Sequence, residues 1–352
     1  MSALPLPPAA QAERLTDALR RSGALGAGQV RQVEVISSRP QILSHITRLR
    51  LSYAGGDAGP STLILKSGLP QLDAGGWAGG RHEVAFYAKV APSMPAQLLP
   101  ACHEALWNPE TNGWHLILED LSDSHLIATA WPLPPDIDAC ERIARARAHQ
   151  HAVWWDHPEL GRSIGEHADD RVLGWPLADF AAQYGRFAEQ AGDILSTERR
   201  QLFERLIAAA PRLLHRKQSR RQLSLVHGDA HVWNVFLPRD DAANGVRLFD
   251  WDCWRIDVGA ADLAYMMAMH WYPELRRRWE RRLLDAYHAA LLGHGVRDYS
   301  RADLEDDYRL CVLWHLSVPV RQAIIGIPPV IWWNNLGRIL LAADDLDCGS
   351  LL

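Results

Sequence analysis

The chain has 352 residues, 37 Lys+Arg against 42 Asp+Glu, 48% hydrophobic residues and 22% charged residues, which excludes a disordered or fibrous chain. At about 100 to 200 residues per domain, this length predicts about two domains. The net charge of −5 has the wrong sign for a protein that must neutralise nucleic-acid phosphates, so nucleic acid is not an expected partner.

Residues 11 to 22 repeat apolar side chains at Leu15, Ala18 and Leu19, a helical stripe that closes near Gly23 and Gly26. No run nears the ~20 apolar residues of a membrane span, and the opening MSALPLPPAAQAERL lacks the basic start and apolar segment of a secretory signal. Five scattered cysteines without a C-x-x-C spacing indicate neither a disulfide framework nor a zinc-thiolate site. No membrane partner is expected, and the cytoplasm is the expected compartment.

Three strand-like runs follow, over 30–37, 42–54 and 62–68, the last two separated by Gly55-Gly56-Asp57-Ala58-Gly59-Pro60, a turn composition. They predict an antiparallel sheet. A loop with Gly75, Gly76, Gly79 and Gly80 leads into a helix over 81–91 with Glu83, Phe86, Tyr87 and Val90 on one face. Extended runs around Gln97 to Leu106 and over 114–121 complete this half. A helix over 138–155 comes next, with Cys140, Ile143 or Ala144, Ala148, Ala152 and Trp155 on one stripe. Helical patterns then run to the end, interrupted by one β-rich island from Leu223 to Trp254. The expected fold class is α+β: a small antiparallel β-rich domain over 1–120 and a larger, mostly helical domain over 121–352, joined near Glu119 to Asp123.

In the island, an apolar strand over 223–226 delivers His227-Gly228-Asp229, and a second short strand spans Asn234 to Leu237. Asn244-Gly245 then turns the chain back through 246–249 into Asp250-Trp251-Asp252. An Asn-Gly pair between apolar runs is a hairpin signal, and it sends Asn234 and Asp250 to one end of the ladder, where Asp229 can join them. Phosphoryl transfer from a nucleotide needs such a set. One carboxylate accepts the attacking hydroxyl's proton, and an amide oxygen with a second carboxylate holds Mg²⁺. Asn234 lies five positions after Asp229, the D-x-x-x-x-N spacing of a kinase catalytic loop, and Asp250 follows an apolar strand as a kinase metal-binding Asp does.

The segments HGDAHVWN and FDWD, with Asp262-Leu263-Ala264 shortly after, resemble the aminoglycoside phosphotransferase and choline kinase-like superfamily, small-molecule relatives of the protein kinase fold. The resemblance implies a two-lobed protein kinase-like fold with ATP, or GTP, and Mg²⁺ as its nucleotide and metal. Leu63-Ile64-Leu65-Lys66 is similar to the strand whose lysine grips the α- and β-phosphates, and Glu83 to that lysine's helix partner. Residues 116–121 resemble the hinge that receives the nucleotide base, which implies binding roles for Glu119 and Leu121. His151-Ala152-Val153-Trp154-Trp155 is similar to a recurrent helix of bacterial members. The resemblance further implies Asp229 as catalytic base, Asn234 and Asp250 as metal ligands, Lys66 as phosphate anchor and His227 as a loop-orienting residue. The phosphate-loop position, 37–47, has no glycine-rich sequence. Only eleven residues separate Asp250 from Asp262, too few for a peptide-docking activation segment, so the expected acceptor is a hydroxyl of a small molecule.

Two other functions compete. His227, Asp229 and His231 could form an H-x-D-x-H metal cluster of a hydrolase, but that leaves Lys66, Glu83 and Asn234 without roles. A non-catalytic, pseudokinase-like nucleotide binder fits the missing glycines but not the presence of base, metal ligands and anchor together. Of the 15 tryptophans, Trp154, Trp155, Trp314, Trp332 and Trp333 fall in helical patterns and are expected in the core. The acidic runs at 305–307 and 344–345, and the basic run Arg276-Arg277-Arg278 with Arg281 and Arg282, are expected to be solvated faces.

Overall fold

The computed structural model describes residues 6–56, 59–70, 78–168, 170–240 and 245–352, with the backbone alone over 170–177. Gly75 and Gly76 of the glycine loop, Asp57 and Ala58 of the first turn, and Asn244 of the expected hairpin turn lie outside these residues. The chain divides into two compact units, Met1–Ile127 with Phe236–Trp254, and Ala128–Val235 with Arg255–Leu352. Both are discontinuous, unlike the continuous 1–120 and 121–352 read from the sequence. No helix among the described residues is long and apolar enough to cross a membrane.

The first unit is built on a five-stranded sheet in the order β1-β2-β3-β5-β4, from β1 (Gln29–Pro40), β2 (His45–Ala54), β3 (Thr62–Ser67), β4 (Cys102–Trp107) and β5 (Trp114–Glu119). Every neighbouring pair is antiparallel, as the sequence predicts. Alternation along β3 sorts its side chains between two faces. Leu63 and Leu65, at most 1% exposed, face a cluster with Leu49, Leu51, Ile117 and the Leu15–Leu19 stripe of α1 (Ala12–Arg21). Each such buried leucine contributes about 1.5–3 kcal/mol. Lys66 therefore points to the opposite face, toward α2 (Gly79–Ala85), which packs against β4 and β5. Gly80 sets that approach: a Cβ there would overlap the Trp114 indole of β5.

The helix expected over 81–91 is α-helical only to Ala85 and continues as a π-helical turn over Phe86–Val90. The expected strand near Gln97 begins only at Cys102, because Pro95 and Leu99 frame a short 3₁₀ turn over Ala96–Leu98. The 37–47 segment is a tight hairpin in which the Gln41 N–H donates to the Ser44 carbonyl at 2.7 Å and Ile42 is 79% exposed.

The expected β-island is two structures. β7 (Ser224–Val226) pairs antiparallel with β10 (Arg255–Asp257) in the second unit. β8 (Val235–Pro238) and β9 (Arg247–Leu248) instead form a sheet with β6 (His125–Ile127) in the order β6-β8-β9. The sequence missed β6 and β10, because three residues carry too little alternation to be seen.

The second unit is mostly helical. Its α3 (Ile137–Val153) starts where the Asp136 carboxylate accepts the Ala139 N–H at 2.8 Å, an N-cap, and packs against α8 (Pro273–Gly293). Between these in sequence lie α4 (Asp170–Ala191), α5 (Thr197–Leu213), α6 (His215–Gln218) and α7 (Ala260–Ala264); α9 (Arg301–His315), α10 (Ser317–Ile324) and α11 (Pro329–Asp345) follow.

Two surface expectations fail here, and one core expectation fails in part. Arg276 is buried, paired with Glu280 and Asp345, while Leu283, Leu284 and Tyr287 of α8 are buried as read. Asp307 is buried too, gripped by Arg216 through two 2.7 Å bonds. Among the helical tryptophans Trp154 is in the core, but Trp155, Trp314 and Trp332 are half-buried and Trp333 is 45% exposed. Helical spacing locates a stripe but not the partner that covers it.

Candidate active site

In the first unit the Lys66 ammonium stands between two carboxylates. It donates to Glu83 Oε1 at 2.8 Å, lies 2.7 Å from Glu83 Oε2, and reaches Asp250 Oδ1 at 2.5 Å. Lys66 and Glu83 are buried, whereas the Asp250 side chain is 37% exposed. Burial alone would lower the Lys66 pKa; the charges of Asp250 and Glu83 outweigh it and hold the ammonium above its ordinary value. The lysine is a fixed cation shared by two acids.

Ring packing holds this trio together. The Trp251 indole stacks on Phe86 at 4.0 Å and 6°, and its backbone N–H donates to Glu83 Oε1 at 3.4 Å. His82 and Trp254 stack at 4.5 Å and exchange two bonds, the His82 Nε2–H to the Trp254 carbonyl at 2.6 Å and the Trp254 indole N–H to the His82 carbonyl at 3.0 Å. These contacts fasten α2 to the 250–254 segment, so Glu83 and Asp250 approach Lys66 from two sides. Asp250 itself takes φ 69°, a left-handed backbone that is strained for a non-glycine residue and concentrated at functional sites.

Glu119 and Leu121 are engaged in local structure. The Glu119 N–H donates to the Ala101 carbonyl at 2.8 Å, and its carboxylate accepts the Ala101 N–H at 3.1 Å. The Leu121 carbonyl accepts from the N–H groups of Ser124 and His125, at 3.2 and 2.9 Å.

In the second unit β7 ends at Val226, and the next residues form a loop whose backbone is pinned by a buried aspartate. Asp262 of α7 accepts the His227 N–H at 2.8 Å and the Gly228 N–H at 3.0 Å. His151 Nε2 stands 3.2 Å from the same carboxylate, and His151 Nδ1 lies 2.8 Å from the Tyr287 hydroxyl. Gly259 admits this chain, because a Cβ there would strike Tyr287 and His151. Burial would raise the Asp262 pKa; the hydrogen bond from His151 and the charge of Arg147 hold it well below the usual carboxylate range. Arg147 is 1% exposed, with Nη1 4.0 Å from Asp262.

The pinned loop presents Asp229 and Asn234. Both amide hydrogens of Asn234 go to Asp229, one to its backbone carbonyl and one to its Oδ2, each at 3.0 Å. Two acceptors on one side fix the amide's orientation, so its carbonyl oxygen points elsewhere and is the atom suited to a cation. Asp229 Oδ2 also lies 3.3 Å from His231 Nε2, and Oδ1 accepts the Tyr265 hydroxyl at 2.7 Å. The Asp229 side chain is 25% exposed. Burial would raise its pKa, but the charge and hydrogen bond of His231 and the bond from Tyr265 drive it far below the usual range. This is an ionised, partly accessible carboxylate.

His227 is fully buried, and its Nδ1 accepts the Asp229 N–H at 3.3 Å, so its ring braces the loop backbone. Among the described residues no group of three or more His, Cys, Asp or Glu side chains could hold a metal ion.

The structure thus brings Lys66, Glu83 and Asp250 together in the first unit, and Asp229 and Asn234 in the second. Sequence reading missed His231 and Tyr265 as partners of Asp229 and the bond of Asp262 to the loop. The Asp-Leu-Ala segment was the available signal for Asp262. Tyr265, 36 positions from Asp229, left none.

Solved structures share the fold at low identity. A candidate aminoglycoside phosphotransferase from Ralstonia eutropha is 14% identical, with TM-score 0.54, over 97% of this chain and 99% of its own. A GDP complex of wild-type aminoglycoside 2′-phosphotransferase-IIIa gives 11% and 0.51 over 91% and 94%. A Plasmodium vivax ethanolamine kinase gives 11% and 0.50 over 88% and 81%. The two-lobed protein kinase-like fold expected from the sequence is therefore present. A search of curated proteins returned no match. A sequence profile of the ecdysteroid kinase-like family matches residues 42–296, which include Lys66, Glu83, Asp229, Asn234 and Asp250, and the chain belongs to the ecdysteroid kinase-like family.

Proposed function

We propose that this protein is a small-molecule kinase that moves the terminal phosphoryl group of ATP, or GTP, to a hydroxyl of its acceptor with Mg²⁺ as cofactor. The observation that carries this reading is the buried Lys66 ammonium held between Glu83 and Asp250. A fixed cation beside a partly exposed acid suits phosphate oxygens and the metal that accompanies them. Family membership supports it. So do neighbours of the same fold that include an aminopropanol kinase. A GDP-bound neighbour makes GTP worth testing beside ATP.

Lys66 would grip the α- and β-phosphates, with Glu83 fixing its direction. Asp250 and the carbonyl oxygen of Asn234 would hold Mg²⁺, which neutralises phosphate charge when bound. Glu119 and Leu121 are proposed as backbone contacts of the nucleotide base. Asp229 would take the acceptor's hydroxyl proton as the acceptor oxygen bonds to the γ-phosphorus and the bond to the departing nucleoside diphosphate breaks. Rate enhancement would come mainly from positioning and charge neutralisation.

The test is coupled ADP or GDP release over a panel of amino alcohols, aminoglycosides, macrolides, nucleosides and sterol-like alcohols, with Mg²⁺ and with EDTA, and Asp229→Ala as blank. Release that needs Mg²⁺, an acceptor and Asp229 is expected. A panel with no release above the blank, for either nucleotide, would sink the reading.

A further inference from the structure

The two oxygens of Asp229 are not equivalent. Oδ2 meets the Asn234 amide at 3.0 Å and His231 Nε2 at 3.3 Å, while Oδ1 meets only the Tyr265 hydroxyl, at 2.7 Å, among the described residues. A carboxylate oxygen offers about two lone-pair directions. Oδ2 has both occupied; Oδ1 has one left.

Tyr265 is itself held firmly. It opens a π-helical turn over Tyr265–Met269 directly after α7, a departure from α-geometry that recurs at functional sites. His270 Nδ1–H donates to the Tyr265 carbonyl at 2.7 Å, and burial holds the His270 pKa down at about 3, so that imidazole is a neutral donor. The Tyr265 ring packs at 4.7 Å from His270 and at 5.4 Å, edge-on, from His315. α11 packs against the same turn.

We infer that Tyr265 is a positioning residue for phosphoryl transfer: its hydroxyl fixes the rotation of the Asp229 carboxylate, so that Oδ1, by its remaining lone pair, is the atom that receives the acceptor's proton. This rests on the proposed kinase reading. The proton leaves the acceptor oxygen for Oδ1 as that oxygen bonds to phosphorus; the Tyr265 proton stays on its phenol throughout. Removing the hydroxyl takes away the one contact on Oδ1 and leaves the carboxylate held through Oδ2 alone, so that Oδ1 can swing about the Cβ–Cγ bond, and a displacement on the order of 1 Å can cost up to about 10²-fold in rate.

The experiment is a double-mutant cycle of Tyr265→Phe and Asp229→Ala, assayed with Mg-ATP on water and on the panel alcohol that the wild-type protein turns over fastest. Tyr265→Phe is expected to lower kcat about 10- to 100-fold with KM for ATP unchanged, and to lower it no further in the Asp229→Ala background, because its effect passes through that carboxylate. An equal loss in both backgrounds, or a rise in KM for ATP matching the fall in kcat, would overturn the assignment and leave the kinase reading standing. A crystal structure of Tyr265→Phe supplies a readout that needs no turnover. A reoriented or two-state Asp229 carboxylate is expected, and one unchanged from wild type overturns the inference. Absence of turnover in the wild-type protein would remove the kinase reading, and this inference with it.

Discussion

In the first compact unit Lys66 lies between Glu83 and Asp250; in the second, Asp229 lies among a phenol, a primary amide and an imidazole. Both clusters contain a carboxylate that is partly open to solvent, Asp250 at 37% and Asp229 at 25%. They are held by different means. The first is compensated by a full charge, so its geometry responds when charge is added or removed, as phosphates and a divalent cation would do. The second has the charge of His231 beside it, but its hydrogen bonds from the phenol and the amide have fixed directions, which set where the carboxylate oxygens point. One cluster is suited to gathering charge and the other to aiming a single oxygen.

The sharpest way to break that contrast is to remove the aimed carboxylate. Asp229→Ala should lower kcat by about 10²- to 10⁴-fold, the usual contribution of a positioned base, while nucleotide binding measured by calorimetry stays near wild type. Near-normal turnover would strip Asp229 of its role. Asp262→Asn attacks the same loop from beneath. It leaves Arg147 buried without its counter-charge and weakens the acceptor for two backbone N–H groups. Urea unfolding should show a loss of about 3–5 kcal/mol, the range for breaking a buried pair by deleting one partner. A loss under about 1 kcal/mol would mean that the loop is pinned by something else.

The charge-gathering cluster calls for a different variant. Asp250→Asn keeps the side chain's shape and removes one of the two acids on Lys66. Mg-ATP affinity should fall about 10- to 100-fold, the scale of losing one charged partner, and metal-free ATP affinity by much less. Equal losses in paired titrations would count against metal ligation by Asp250.

Much of this was legible in the sequence because it depends on local spacing. Asp229 and Asn234 sit on one short loop, and their contact follows from the five-residue step. Lys66 on an apolar strand and Glu83 on the following helix are separated by only 17 positions, and alternation along the strand decides which face the lysine takes. What was not legible is what holds these groups in place. The His82–Trp254 and Phe86–Trp251 stacks join residues more than 160 positions apart, and nothing in either segment names the other. The buried state of Arg276 and Asp307 follows from partners on distant helices rather than from the charge run each sits in. The β-island split for the same reason: β7 found β10 and β8 found β6, both partners too short to announce themselves.

The smallest effect expected concerns the histidines around Tyr265. Burial holds His270 at about 3 and His315 at about 4, below the 6.5 of an exposed imidazole. The unfolded chain therefore binds protons on these residues that the folded chain refuses. Stability is present in full above pH ~6.5 and falls as the pH drops toward the folded values. For His270 alone the loss at pH 5 should be about 2 kcal/mol, from about 1.4 kcal/mol per pH unit below the unfolded value. His270→Asn, which can still offer an N–H to the Tyr265 carbonyl, should flatten the dependence of the unfolding free energy between pH 6.5 and 5 while lowering the plateau above it. A variant whose slope over that interval matches wild type would show that His270 already carries its proton in the folded state, and a charged donor rather than a neutral one would then hold the turn that presents Tyr265 to Asp229.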